Sequence, residues 1–319
     1  MNVAAAKEVD ARGLAARLWA YQAERFPVFK HGVLIAAFGA SAVCLSALLR
    51  GAAPEWPSLV VAVLVLFGFF FQLRVADEHK DNEDDTKYRP ERPVPRGLVK
   101  LAELRSVAIA VGVVQIVLTA WLGWTMLGLL VLVWAYMAVM TKEFFVPAWL
   151  KKRPVIYMVS HMAIMPLIDL YATACDWLPA GVALHEGFGL TLGAFLLLSL
   201  VNGSVIEIAR KSWAPAMERE GVETYSRAWG ASRAGLVVMT ILLAGLALAA
   251  FVNVRSGASF WFLAVLMAVT LHAAWTAIDY AGTPTETRVK RLETGTAVFV
   301  MANYLLLGVL PLMASLWLA

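Results

Sequence analysis

The stretch from Leu73 to Gly97, LRVADEHKDNEDDTKYRPERPVPRG, is where a long apolar segment runs out into a loop crowded with arginine and proline. Asp77, Asp81 and Asp85 recur in it at four-residue spacing. If the helix of the apolar segment continues through the motif, positions i, i+4 and i+8 drift by only about 80° and Asp84 joins the same face. Four carboxylates then crowd one stripe at a helix C-terminus. The macrodipole already disfavours negative charge there, so the arrangement is self-repelling without cations. Hard divalent ions such as Mg²⁺ take carboxylate oxygens and bridge to phosphates, which points to a Mg²⁺–diphosphate site. A solvated acidic loop beyond a membrane helix is the competing reading. The regular spacing, and the basic Arg89, Arg92 and Arg96 that follow, weigh against it.

Composition fixes the class. With 61% apolar and 16% charged residues and a mean hydropathy of +0.71, the chain is far from soluble averages and reads as a polytopic, all-α membrane protein. Stretches long enough to cross a bilayer of about 30 Å fall near 31–49, 58–77, 104–122, 125–141, 154–174, 189–209, 234–252, 259–280 and 297–318, predicting nine spans. Lys and Arg collect on the cytoplasmic side of membrane proteins. With the N-terminus cytoplasmic, only Arg50 and Arg255 of the 27 basic residues fall on the outer side. The net charge of +4 then reflects topology and calls for no nucleic-acid partner. No cleavable signal peptide is expected, because the first 30 residues are charged and the first apolar segment is long.

Residues 1–30 read as a cytoplasmic segment in which 14–29, LAARLWAYQAERFPVF, mixes aromatic and basic residues as a helix lying in the membrane interface does. Residues 31–319 then form one transmembrane domain. Cys44 and Cys175 lack CxxC or His spacing and imply neither a disulfide framework nor zinc.

Laying the chain over itself at an offset of 130 aligns QLRVADEHKD (72–81) with NGSVIEIARK (202–211), both at the inner ends of apolar segments. Gln72 matches Asn202, Val75 matches Val205, Asp77 matches Glu207 and Lys80 matches Arg210. The identity is low and chance competes, yet inverted or parallel repeats are common in membrane folds and place their site at the repeat interface. Two half-bundles would meet over one polar pocket, with Glu207 opposite Asp77 and with Arg210 and Lys211 supplying positive charge for phosphate oxygens.

On these residues the chain resembles the UbiA superfamily of intramembrane prenyltransferases, from about residue 28 to the C-terminus. The resemblance rests on the aspartate motif after span 2, on RPERPVPRGLV (89–99), similar to the family's Arg-Pro-Leu-Pro-Ser-Gly type segment, and on EGVETYS (220–226) after span 6, similar to its Gly-Ile-x-Thr stretch. It implies a nine-helix bundle around a central cavity, capped by the cytoplasmic loops after helices 2 and 6. An allylic diphosphate is joined there to a commonly aromatic acceptor, with Mg²⁺ as cofactor. It implies Asp77, Asp81 and Asp85 as Mg²⁺ ligands, Gln72 where many members have Asn, and Arg92 as a phosphate contact, in a prokaryotic inner membrane. The second motif departs from the family pattern. EIARKSWAPAMEREG (207–221) offers Glu207, Arg210, Lys211, Glu218 and Glu220 with an apparent insertion around Pro215, so fixed cations could replace one metal ion or the reaction could differ.

Ionising an allylic carbon–oxygen bond leaves diphosphate and an allylic cation. Metal on Asp77, Asp81, Asp85 and Glu207, with Arg89, Arg92, Arg210 and Lys211, would favour the departing diphosphate over the bound ester. The cation needs a dry pocket with π faces, for which Phe67, Phe71, Trp134, Tyr136 and Tyr157 are candidates, although each is equally an ordinary membrane-core residue. His161 and Asp169 in span 5 are costly at membrane depth and either serve an acceptor or bind neighbouring helices. His272 reads as a packing histidine. Lys142 reads as either a diphosphate contact or a positive flank. Three functions stay open: prenyl transfer to a small hydrophobic or aromatic acceptor, UbiA-type terpene cyclisation without acceptor, and membrane transport, which the helix-end position of the acidic cluster disfavours.

Overall fold

The computed structural model describes residues 12–183, 186 and 189–318. Among them there is no strand, as hydrocarbon requires of a chain that is not a closed barrel: every backbone N–H must find its carbonyl within its own segment. The helices are α1 (Leu14–Arg25), α2 (Val28–Arg50), α3 (Trp56–Lys80), α4 (Asn82–Tyr88), α5 (Leu101–Leu122), α6 (Trp124–Thr141), α7 (Pro147–Lys151), α8 (Pro154–Met162), α9 (Ile164–Trp177), α10 (Leu190–Arg210), α11 (Tyr225–Trp229), α12 (Ala231–Arg255), α13 (Phe260–Gly282), α14 (Glu286–Leu307) and α15 (Val309–Leu318). Nine segments among the described residues are long and apolar enough to cross a membrane, with α8–α9 counting as one and α14–α15 as another.

The spanning helices pack in sequence, α2 on α3, α3 on α5, α5 on α6 and α6 on α9, then α10, α12, α13 and α14, which closes the ring against α2. The 130-residue offset is built into this order. α5 starts at Leu101 and α12 at Ala231, while α3 ends at Lys80 and α10 at Arg210. Ser46 and Asp176, also 130 residues apart, touch where α2 meets α9: the Ser46 hydroxyl donates to Asp176 Oδ2 at 2.7 Å. The two halves run in the same direction, because the loops that follow α3 and α10 meet at one face. There Gly221, at φ +73°, comes so close to the Tyr88 ring that an added Cβ would stand 2.9 Å from it.

Two spans differ from the sequence expectation. Span 5 is interrupted at Ala163, between α8 and α9. The ninth begins at Glu286 and not near 297, because its first turns carry Arg288, Lys290, Arg291 and Glu293 and so escape an apolar window. It bends at Gly308, whose missing side chain lets it lie on the Ser41 backbone.

The N-terminal helix is more than an interfacial float. Trp19 and Phe29 do point outward. The opposite side of α1 is bolted to the bundle by Arg17–Glu103 (2.6 Å), Arg25–Glu78 (2.6 Å) and Arg96–Glu24. Tyr21 is buried beneath it with Val75, Leu98 and Leu104.

Candidate functional site

The aspartate motif straddles a mild break. Asp81 leaves helical geometry at φ −91°, ψ 4° and separates α3 from α4. The i to i+4 bonds nevertheless continue, from Asp81 N–H to the Asp77 carbonyl (2.9 Å), Asp85 N–H to Asp81 (2.8 Å) and Arg89 N–H to Asp85 (2.8 Å). The carboxylates therefore stack one turn apart without sharing an environment. Asp77 keeps 54% of its side chain exposed and has a single long contact, 3.4 Å to Arg74 Nη1. Asp81 is half-buried, and burial pushes its carboxyl above the usual carboxylate range, with the Asp85 charge adding to this and Lys80 and Arg92 opposing it.

Asp85 departs from the expected stripe. It is 2% exposed, and its two oxygens receive Arg89 Nη1 (3.0 Å) and Arg92 Nη1. Arg89 arrives by helical spacing, and the proline-bounded turn that follows brings Arg92 back. Asp85 thus locks the loop, and the two arginines expected at a phosphate are spent on it. Asp84 faces outward.

The second motif is organised around neutralisation. Glu207 lies 14% exposed between Arg210 Nη2 (2.9 Å) and Lys211 Nζ (2.7 Å). Glu218 is turned away, accepting the hydroxyls of Thr224 (2.8 Å) and Ser226 (2.7 Å), so the EGVETYS segment and the insertion around Pro215 clasp each other. The Arg210 charge reaches Asp77, and Tyr225 stands within electrostatic range of Glu207, Arg210 and Tyr157. The two helix ends thus face one region. Among the described residues no three His, Cys, Asp or Glu side chains cluster as a metal cage.

A third wall was not legible as such in the sequence. Lys80 bonds Tyr157 and pairs with Glu143 at 2.8 Å. Burial raises the cost of charge on Glu143, but Lys80 overcomes it and holds that carboxyl below its ordinary range. Glu143, Phe144 and Phe145 all have positive φ, 48° to 60°. Such left-handed conformations cost about 1 to 2 kcal/mol per non-glycine residue and persist only where surroundings enforce them. The turn puts Glu143 inside and leaves Lys142, expected as a diphosphate contact, exposed. His161 stacks on Tyr157 with ring centroids 4.0 Å apart, which brings it to this wall.

Between α1–α2 and α3 lies a cavity of about 220 Å³. Arg74 and Asp77 stand at one end, Phe26, Ile35, Phe70 and Leu73 form the walls, and Phe38 lies against Tyr304 (centroids 4.4 Å apart) deeper in the bundle. Phe70 and Asp77 are seven residues apart on α3, so the cavity runs about 10 Å inward from the carboxylate. His31 also lines it, and among the described residues its buried Nδ1 has no hydrogen-bond partner, nor has Arg74 Nε. Phe26, His31, Phe38, Phe70 and Arg74 are the residues that sequence reading missed. Phe26 lay within the supposed anchor and His31 just beyond it, and the others look like ordinary membrane-helix residues.

Of the expected aromatics, Phe67 and Phe71 brace Phe26 from behind (5.1 and 5.7 Å). Trp134 donates to Gln72 Oε1 (3.2 Å), and Tyr136 donates to the Ser160 carbonyl (2.7 Å). Three expected substrate contacts are instead tied between helices. Gln72 also donates to the Ala108 carbonyl (3.2 Å), Asn202 accepts from Asn303 (2.9 Å), and Asp169 accepts from Tyr304, which joins α9 to α14. Asp169 and His161 therefore serve different surroundings. His272 is exposed on α13 beside Trp275 and does not pack in the core.

The sequence matches no family model and no curated protein. Superposition on solved structures is decisive for the fold: a digeranylgeranylglyceryl phosphate synthase in membranes aligns with a TM-score of 0.65 over 94% of this chain and 99% of that chain, at 15% identity. The chain has the UbiA-type fold. The aspartate motif, the Glu207 helix end and the Phe-lined cavity thus lie within a fold shared with that synthase.

Proposed function

We propose that the chain is a Mg²⁺-dependent intramembrane prenyltransferase that ionises an allylic isoprenyl diphosphate and passes the prenyl group to a small, hydrophobic or aromatic acceptor, releasing diphosphate. One observation carries this reading. A Phe-lined, elongated cavity has a half-exposed carboxylate and its weakly paired guanidinium at one end, which suits a prenyl chain with its metal-bound diphosphate.

The residues suit the metal. Mg²⁺ commonly takes one or two carboxylates and completes its shell with water and substrate phosphates, and Asp77 and Asp81 offer such a pair one turn apart. Glu207 is held by two cations and is not needed as a ligand. When bound, Mg²⁺ supplies positive charge against the diphosphate oxygens.

The chain's own side chains do the rest. Arg74, Arg210 and Lys211 hold the diphosphate and favour its departing form as the carbon–oxygen electron pair moves onto it. Phe26, Phe38 and Phe70 present π faces to the allylic cation and exclude water. His31 offers an unpartnered nitrogen to an acceptor. A second reading, cyclisation without acceptor, is favoured by the sparsely polar wall, where His31 is the side chain beyond the mouth able to take a proton.

The test is turnover of purified protein with Mg²⁺ and allylic diphosphates of several lengths, with and without aromatic acceptors, followed by mass spectrometry. A prenylated acceptor establishes transfer. An acceptor-independent hydrocarbon or alcohol establishes cyclisation, and no Mg²⁺-dependent diphosphate release from any donor overturns both.

A further inference from the structure

The face opposite the aspartate motif is poor in basic residues, and the two arginines it carries, Arg50 and Arg255, line one cavity of about 320 Å³. Four chain segments bring hydrogen-bond donors to it. Arg50, at the end of α2, gives its Nε (2.8 Å) and Nη2 (2.7 Å) to the buried Asp176, and among the described residues Nη1 has no hydrogen bond. Arg255, at the end of α12, is exposed and has no ion pair or hydrogen bond among the described residues. Trp177, on α9, lines the wall at 2% exposure, and its indole N–H has no partner among the described residues. A buried indole N–H ordinarily finds an acceptor.

The fourth segment is the start of α10. This 21-residue helix begins at Leu190 behind its cap residue Gly189, and among the described residues no side chain caps it, which leaves the N–H groups of its first turn, at Leu190 to Leu192 on the cavity wall, available to an anion. Two carboxylates are nearby. Asp176 is committed to Arg50 and Ser46, and Glu186 accepts from the Ala183 N–H at 3.4 Å. What remains unsatisfied is a set of donors: a guanidinium edge, a whole guanidinium, an indole N–H and a helix N-terminus.

We propose that this cavity binds a phosphoryl group, as a phosphate ester or the free ion, through Arg255, Arg50 Nη1, the Trp177 N–H and the first turn of α10. Oxygen-rich tetrahedral anions accept from several directions at once, which neither a carboxylate-bearing peptide nor a cation would match. The site lies at the opposite end of the bundle from Asp77 and does not depend on the catalytic reading above.

The test uses the full chain in detergent. Binding of a phosphatidylglycerol is read by native mass spectrometry and binding of inorganic phosphate by thermal shift, in wild type, Arg255→Gln and Arg255→Glu. Arg255 is exposed, so both variants should fold. Losing one charge-assisted contact should weaken binding about tenfold in Arg255→Gln, and more in Arg255→Glu. Binding of the lipid alone identifies a head group as the source, and binding of both probes identifies the free ion as sufficient. No binding of either, unchanged binding in both variants, or an equal loss in Arg153→Gln at the other face would overturn the site.

Discussion

Asp77 and Glu207 hold the same place in the repeat, three residues before the ends of α3 and α10, and have opposite electrostatic fates. Asp77 has only a 3.4 Å contact to Arg74, whereas Glu207 is clamped by Arg210 and Lys211. Matched helix ends therefore carry different charge. The first half presents a net acidic end and suits a cation, while the second presents a net basic end and suits an anion. A metal diphosphate is both at once, and a bundle with one end of each sign can grip its two components from separate helices.

The comparison makes graded claims. Asp77→Ala and Asp81→Ala should each lower Mg²⁺-dependent diphosphate release by about a thousandfold, with thermal melting little changed, since these carboxylates repel one another in the folded chain. Near-normal turnover in either would end the asymmetry. Arg210→Gln should raise the KM for the allylic diphosphate about tenfold. Glu207→Gln should change turnover by less than about threefold, because Arg210 and Lys211 already neutralise that carboxylate. A loss as large as that of Asp77→Ala would make the halves chemically equivalent.

Two smaller effects concern the loops that join the halves. Gly221→Ala should destabilise by about 1 to 3 kcal/mol, since its φ of +73° and the Tyr88 ring both exclude a side chain. A denaturation series checks this. The Glu143–Lys80 pair should give a pH-dependent increment. The folded pKa of Glu143 lies below its unfolded value of 4.5, so its stabilisation is present above that value and fades as pH falls through the folded pKa. The melting difference between wild type and Glu143→Gln should therefore be seen at pH 7 and shrink toward pH 3. Lys142→Gln, one residue away and exposed, should stay within about 0.5 kcal/mol.

Much of the fold was written in hydropathy, and the 130-residue register of Lys80 and Arg210 reappears as matched helix ends. The motif was legible as composition but not as geometry. Asp85 has the same spacing as Asp77 and Asp81, yet the proline-bounded turn aims Arg92 at it, and no periodicity reports where a loop returns. Gln72, Asn202 and Asp169 were conspicuous as polar residues in apolar helices, and that signal does not separate a substrate contact from a helix-to-helix bond. Glu143 stayed hidden beside Lys142 because a left-handed turn of Glu and Phe has no glycine to announce it.

The Ser46–Asp176 bond also bears on how the chain is made. At synthesis rates of roughly 5 to 20 residues per second, the 130 intervening residues take on the order of ten seconds to emerge. Through that interval α2 is already in the membrane while Arg50 waits for its carboxylate. Until then the first half-bundle lacks this tie, and α9 is the first helix of the second half with which α2 can close it.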